Sequence, residues 1–300
     1  MRRLFEGGLV ALGLLAASAA AQEIYQEKSL YRNIVVVEEQ GLRCMKFGRQ
    51  EGRQTCLSLQ DPQVMPLAYT KMLLGALYLK PDPARILIVG LGGGTMPSAL
   101  RKLLPQARID IVEIDPSVVK VARQFFGFST DSNSAVVIED GRVFAKRAQK
   151  QGRKYDLVML DAFDHVYVPE HMLTREFLLE VRSLLEKDGV LAANTFSSSR
   201  LYDAESATYA SVFGPFYNLK MNNRVILARN DGLPPLAEIK ANAQRLEPGL
   251  GVFGTGQDQL LPLFSTAVQW PAGTRILSDQ YSPANLLNRS EKQPERKGLW

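Results

Sequence analysis

From Arg85 onward the chain alternates short, nearly continuous apolar runs with longer segments in which apolar residues recur every three or four positions. The runs "RILIVG", "RIDIVEID", "SAVVIED", "YDLVMLD" and "GVLAANTF" predict strands. The segments "MPSALRKLLP", "SVVKVARQFFG", "GRVFAKRAQ" and "LTREFLLEVRSLLEKD" predict helices between them. Strands without a polar face need cover on both sides, so the pattern predicts an α/β fold with a mostly parallel sheet between helical layers. "YNLKMNNRVILARN" closes the region as a hairpin or a pair of edge strands. Nearer the N-terminus, "NIVVVEEQ", "LRCMKFG" and "QTCLSL" predict a small antiparallel sheet over about residues 24–60, and "PLAYTKMLLGALYL" predicts a helix that opens near Pro66 and stops at "KPDP". Beyond residue 232, one amphipathic segment, "PLAEIKANAQRLE", precedes a tail to which no element is assigned. The expected organisation is a leader over 1–21, a β domain over 22–64, an α/β domain over 65–232 and a C-terminal extension over 233–300.

Composition changes this picture at the N-terminus. Arg2 and Arg3 precede an apolar run from Gly7 to Ala21, with Ala19 and Ala21 as small residues before Gln22. This is the charge, apolar and cleavage pattern of a secretory signal, and the run is shorter than the roughly 20 residues that cross a bilayer. The expected location is the periplasm or the exterior; a cytoplasmic protein is the alternative if the start codon is misassigned. The 300 residues carry 36 Lys and Arg, 31 Asp and Glu and a net charge of +5, with basic residues scattered among acidic ones. No basic stripe with interleaved aromatics is present, which argues against a nucleic-acid partner. Cys44 and Cys56, the two cysteines, flank the turn "GRQEGR" at equal distance from Gln50. A cross-strand disulfide fits that spacing and an oxidising compartment, with two buried thiols as the alternative. His165 and His171 are the two histidines and lie far from the cysteines in sequence, so no metal site is expected.

Candidate chemistry gathers at strand ends. In "ILIVGLGGGTMPSALRKL", Gly90, Gly92, Gly93 and Gly94 link the first buried strand to its helix. Glycines there allow positive φ and close approach of a ligand, and free N–H groups at the helix start hold polar or anionic groups. Glu113 ends the next strand, 19 residues beyond Gly94, where a carboxylate can accept from both hydroxyls of a ribose. Asp115 before Pro116 reads as a helix cap. Asp140 in "VVIEDGRVF" ends the third strand, where it can receive an adenine amino hydrogen or cap the helix that follows. The fourth strand runs into "DAFD", with Asp161 and Asp164 three residues apart.

These motifs, in this order, resemble the spermidine synthase family of polyamine aminopropyltransferases. The resemblance extends from the N-terminal strands through about Phe213, and "LSDQYSPANLL" at 277–287 is similar to the family's terminal segment. It implies a methyltransferase-like Rossmann-type sheet and a nucleoside pocket built by Gly92, Gly94, Thr95, Glu113, Asp140 and Gly141. It also implies Asp161 as catalytic base, with Asp164 and Tyr69 holding the amine. The implied co-substrate is decarboxylated S-adenosylmethionine, with S-adenosylmethionine as the alternative and no tightly bound cofactor. The implied partner is a small diamine or polyamine, and a homodimer is compatible with this reading. Two departures stand out. Thr95 occupies the place of the aspartate that commonly follows the family's three glycines and holds the donor's ammonium, and a hydroxyl brings no charge to that cation. Tyr69 is followed by Thr70 and Lys71 where the family has Gln or His and usually Glu, and Lys71 either repels a diamine from within the pocket or lies on a solvated face.

In aminopropyl transfer a protonated amine must lose a proton before its nitrogen attacks, so a carboxylate beside the acceptor serves as base and as electrostatic guide. A glycine–any–serine–any–glycine elbow is absent, which disfavours hydrolysis. Because nucleoside sulfonium donors are made inside cells, an exported non-catalytic polyamine- or nucleoside-binding protein is an alternative, and an S-adenosylmethionine-dependent methyltransferase is another.

Overall fold

The computed structural model describes residues 21–49, 52–163, 169–195 and 200–289. Four antiparallel strands, β1 (Gln22–Lys28), β2 (Asn33–Glu39), β3 (Leu42–Lys46) and β4 (Arg53–Ser58), form an N-terminal sheet in the order of the chain. β1 was not expected from sequence: its pattern "QEIYQEK" is largely exposed and polar, and pairing with β2 defines it. Cys44 and Cys56 face each other in the β3–β4 register and are joined by a disulfide, with Cα atoms 4.1 Å apart. They pack with Val35 and Val37 on one face of the sheet. Side chains alternate along a strand, so the neighbouring Thr55 points the other way, against Gly93. Cross-linking a loop of this length stabilises a fold by about 3 kcal/mol in the chain-entropy treatment. The double substitution Cys44→Ser, Cys56→Ser is therefore expected to lower unfolding free energy by about that amount in a urea titration, and coincident curves would contradict it.

A short helix, α1 (Ala68–Leu74), leads into the second sheet, whose order is β10–β11–β9–β8–β5–β6–β7. Here β5 is Arg85–Val89, β6 Arg108–Glu113, β7 Ser134–Ile138, β8 Tyr155–Leu160 and β9 Leu185–Thr195, all parallel. β10 (Tyr217–Lys220) and β11 (Arg224–Arg229) form an antiparallel hairpin on β9. The intervening helices are α2 (Thr95–Leu103), α3 (Pro116–Phe125), α4 (Gly141–Lys150), α5 (Arg175–Leu184) and α6 (Leu201–Phe213). Ile86, Ile88, Ile109 and Ile111 bury themselves on one side of the sheet, and Leu87, Val89, Val112, Val158 and Leu160 on the other. The chain is an α/β protein with a Rossmann-like, mostly parallel sheet and a small N-terminal antiparallel sheet.

Two local expectations are corrected. The helix expected through "EKD" ends at Leu184, and Leu185 already pairs with Tyr155. The irregularity that follows is closed at Gly189, where a Cβ would lie 2.8 Å from Glu186 N. α6 was not expected at all: ten of its thirteen residues are buried, around its whole circumference, so it lacks the amphipathic spacing by which helices are recognised.

The C-terminal segment braces the α/β layer. α7 (Leu236–Leu250) inserts Ile239, Ala243 and Leu250 into the main core. Further on, Asp279 makes a bidentate pair with Arg142 at 2.7 Å for each bond, and Glu170 accepts from Asn285 N at 3.0 Å. These contacts hold the turn Glu170–Met172 beside the start of α4.

Candidate active site

The chain leaves β5 toward β6 and β7, then returns to build β8 and β9 on the other side. Strand ends at such a reversal open into a crevice suited to ligands. A cavity of about 690 Å³ lies there. Gly90, Gly92, Glu113, Asp140, Gly141 and Asp161 line it from the strand ends and the turns that follow them. The β1–β2 turn adds Arg32, β4 adds Thr55, and α1 adds Tyr69.

The glycines divide their work. Gly90 has φ +99°, and a Cβ there would lie 2.1 Å from the Asp161 carbonyl oxygen, so its bareness lets β5 and β8 close beside the acid. Asp161 N also donates to Val89 O at 2.8 Å. Gly92, with φ +53°, lines the cavity, and a Cβ there would only touch Thr55 Cβ at 3.7 Å, so its positive φ rather than crowding calls for glycine. Gly94, expected at the donor, does not line the cavity: its α-carbon packs on Phe128, whose ring a Cβ would meet at 2.5 Å.

Glu113 ends β6, is 8% exposed, and accepts from Leu91 N and Asp115 N at 3.0 Å each. Burial pushes its carboxyl above the usual range, against the two backbone hydrogen bonds and the Arg32 charge. The carboxylate thereby pins the glycine turn to the strand end, and each oxygen keeps a lone pair for a hydroxyl in the cavity. Asp115 has the expected cap role, accepting from Ser117 N at 2.9 Å. Asp140 does two things with two oxygens. Oδ1 caps α4 by accepting from Arg142 N at 2.9 Å and Val143 N at 3.0 Å, while Oδ2 lies 3.0 Å from His171 Nε2. Its cap role and its place on the cavity wall coexist, and His171 acquires a partner that sequence did not suggest.

Asp161 opens on the cavity and is partly exposed there, yet protein surrounds it closely enough that desolvation pushes its carboxyl up to about 7. Hydrogen bonds from Asn194 and Tyr69 oppose this shift, and the Glu113 charge adds to it. The Tyr69 hydroxyl has one proton and two acceptors within reach, the Gln54 carbonyl at 2.9 Å and Asp161. Burial, then the Asp161 charge, holds that phenol well above its ordinary range. Thr95 Oγ1 lies 3.1 Å from Thr55 Oγ1, so a neutral hydroxyl pair occupies the start of α2. Lys71 does not line the cavity; its Nζ is directed toward the Gly254 backbone, which removes the alternative of an inward cation. Asp164, His165, Phe196 and leader residues 1–20 lie outside the described residues. Sequence reasoning missed the wall made by Asn222 and Asn223 in the β10–β11 turn.

Strand-end acids, a glycine turn and a shared cavity at the sheet reversal make a crevice of the kind in which Rossmann-like folds bind nucleoside ligands. Residues 67–218 match the family model described as the spermine/spermidine synthase domain. The chain is 47% identical to the polyamine aminopropyltransferase of Vibrio vulnificus over 272 residues, 88% of this chain and 91% of that protein. A probable spermidine synthase from Corynebacterium glutamicum superposes with a TM-score of 0.65 at 17% identity, covering 90% of this chain and 99% of that one. Human methyltransferase-like protein 13 in complex with SAH superposes with a TM-score of 0.54 at 30% identity, covering 61% and 89%. The chain belongs to the spermine/spermidine synthase family.

Proposed function

We propose that the protein transfers the aminopropyl group of decarboxylated S-adenosylmethionine to a primary amine of a diamine or polyamine. The observation that carries this reading is Asp161, a carboxylate in the cavity whose affinity for protons is raised to about 7. A base poised near the working pH combines a large ionised fraction with real proton affinity. In the step, the acceptor ammonium gives a proton to Asp161, and the freed nitrogen attacks the aminopropyl carbon next to the sulfonium. The carbon–sulfur bond breaks, its electron pair goes to sulfur, and methylthioadenosine departs. Glu113 holds the ribose, Asp140 the adenine amino group, and Gly92, Gly141 and Thr95, which line the cavity, shape the donor cradle. Tyr69 lines the acceptor side of the cavity, and the sequence-based assignment of Asp164 to the amine falls outside the described residues. Titration with methylthioadenosine, followed by transfer assays with and without the Asp161 carboxylate, tests the assignment.

One observation favours a second reading, methyl transfer from S-adenosylmethionine: the Thr55–Thr95 hydroxyl pair offers no charge to a donor ammonium, and the human methyltransferase is a 30% identical relative. Thr95→Asp separates the two. It is expected to raise affinity for decarboxylated S-adenosylmethionine relative to S-adenosylmethionine by about tenfold, the scale of one hydrogen bond to a charged group. Calorimetric titrations with an unchanged ratio would contradict the placement of Thr95 at the donor ammonium.

Export is part of the same proposal. The Cys44–Cys56 disulfide supports it, because such bonds persist in oxidising compartments.

A further inference from the structure

Asp161 is reached from the antiparallel edge of the sheet through two side-chain amides. Asn194, next to last in β9 and 9% exposed, donates from Nδ2 to Asp161 Oδ1 at 2.9 Å. Asn223 donates from its own Nδ2 to Asn194 Oδ1 at 3.5 Å. Register explains the meeting. Thr195 pairs with Arg224 and Asn194 with Val225, so the turn before Arg224 overhangs the end of β9. Arg224 is fully buried and fixes the start of β11 through Asn218 Oδ1 at 2.6 Å and Ser206 Oγ at 2.9 Å.

An amide is directional: its NH₂ only donates and its carbonyl only accepts. An ionised carboxylate only accepts, so an NH₂ facing Asp161 supports the anion. A carbonyl facing it would support the protonated acid, whose hydrogen it could receive. Half a turn of the Asn194 side chain exchanges the two. Asn223 selects between them, since its NH₂ can bond to Asn194 only while the Asn194 carbonyl points away from Asp161.

We propose that Asn194 and Asn223 form a directional amide relay that holds Asp161 in its proton-accepting form, Asn223 acting as a positioning residue through Asn194. The catalytic meaning of the relay rests on the transferase reading. Tyr69 and Glu113 are the other ionisable groups that act on Asp161. The remaining charged or titratable groups on the described cavity wall are Tyr31, Arg32, Arg53, Glu139, Asp140 and His171, and the amide substitutions leave all of them in place.

The test is a pH titration of the Asp161 carboxyl carbon by ¹³C NMR in carboxyl-labelled protein, with the resonance assigned by its loss in Asp161→Asn. Asn194→Leu is expected to move the midpoint upward by about one to two pH units, as when a hydrogen bond to a charged group is lost. Asn223→Ala is expected to move it in the same direction by less, and to have no effect once Asn194 is Leu. Asn223→Asp, at a partly exposed turn position, both draws the Asn194 NH₂ toward itself and adds a like charge, and is expected to exceed the effect of Asn223→Ala, with the part due to the relay lost once Asn194 is Leu. An unmoved midpoint in Asn194→Leu or in both Asn223 variants overturns the relay, as does an Asn223→Ala shift that persists in full beside Asn194→Leu. The titration needs no turnover, so a wild-type protein that forms no product would refute the transferase reading while leaving the relay measurable.

Discussion

Asp161→Asn is expected to cut aminopropyl transfer by about 10²–10⁴-fold, the range for a positioned proton-transfer group, while leaving methylthioadenosine affinity nearly unchanged. The asymmetry follows from the layout. Asp161 sits at the end of β8, whereas the acids assigned to the nucleoside end β6 and cap α4. The substitution nearly preserves shape, while it removes the negative charge, one acceptor oxygen and with them the ability to take a proton. In the wild type, kcat/KM is expected to rise with pH through about 7, because the carboxyl is pushed up to that value and must be ionised to accept a proton. The same shift has a sign for stability. A carboxyl that binds its proton more tightly in the folded state favours folding at low pH, and that advantage is lost as pH rises from the unfolded value near 3.8 through about 7. The Asn variant should therefore melt higher than the wild type at pH 8, with the difference closing toward pH 4. Transfer insensitive to the substitution would remove Asp161 as base, whatever the melting curves show.

Loss of the carboxylate at Glu113 is expected to weaken methylthioadenosine binding by about tenfold or more, since hydrogen bonds to charged groups contribute roughly 1.5–3 kcal/mol each. Glu113→Ala should exceed Glu113→Gln, because the wild-type side chain also ties Leu91 N in the glycine turn to Asp115 N. At Asp140 the cap must be separated from recognition. Asp140→Ala removes both, whereas Asp140→Ser keeps an oxygen for Arg142 N and Val143 N and removes the one facing His171. Asp140→Ser is expected to lose affinity with little change in melting temperature. Calorimetric curves unchanged in Glu113→Ala and in both Asp140 variants would eliminate the nucleoside site.

The parallel strands and their acids were legible because burial on both faces forces continuous Ile, Val and Leu runs, and the first polar residue after each run marks where the strand leaves the core. Glu113 and Asp161 are such residues, Asp140 follows one position later behind Glu139, and all three line one cavity. What was not legible depends on partners distant in sequence. Gly94 reads as a ligand-facing glycine until Phe128 is placed against it. Lys71 has no direction until the chain around Gly254 returns to α1. Asn223 looks like an ordinary turn residue, and only the β9–β11 register brings it to Asn194. α6 escaped detection for the opposite reason: burial on all sides erases the periodicity that marks a helix.

Mass-spectrometric product analysis tests the central claim most directly. The mature wild-type protein is incubated with either decarboxylated S-adenosylmethionine or S-adenosylmethionine, each with putrescine, cadaverine, spermidine or agmatine. The account predicts equimolar methylthioadenosine and an amine heavier by one aminopropyl group, from the decarboxylated donor alone. A methylated amine with S-adenosylhomocysteine from the other donor, or bound amine with no product from either donor, would contradict it.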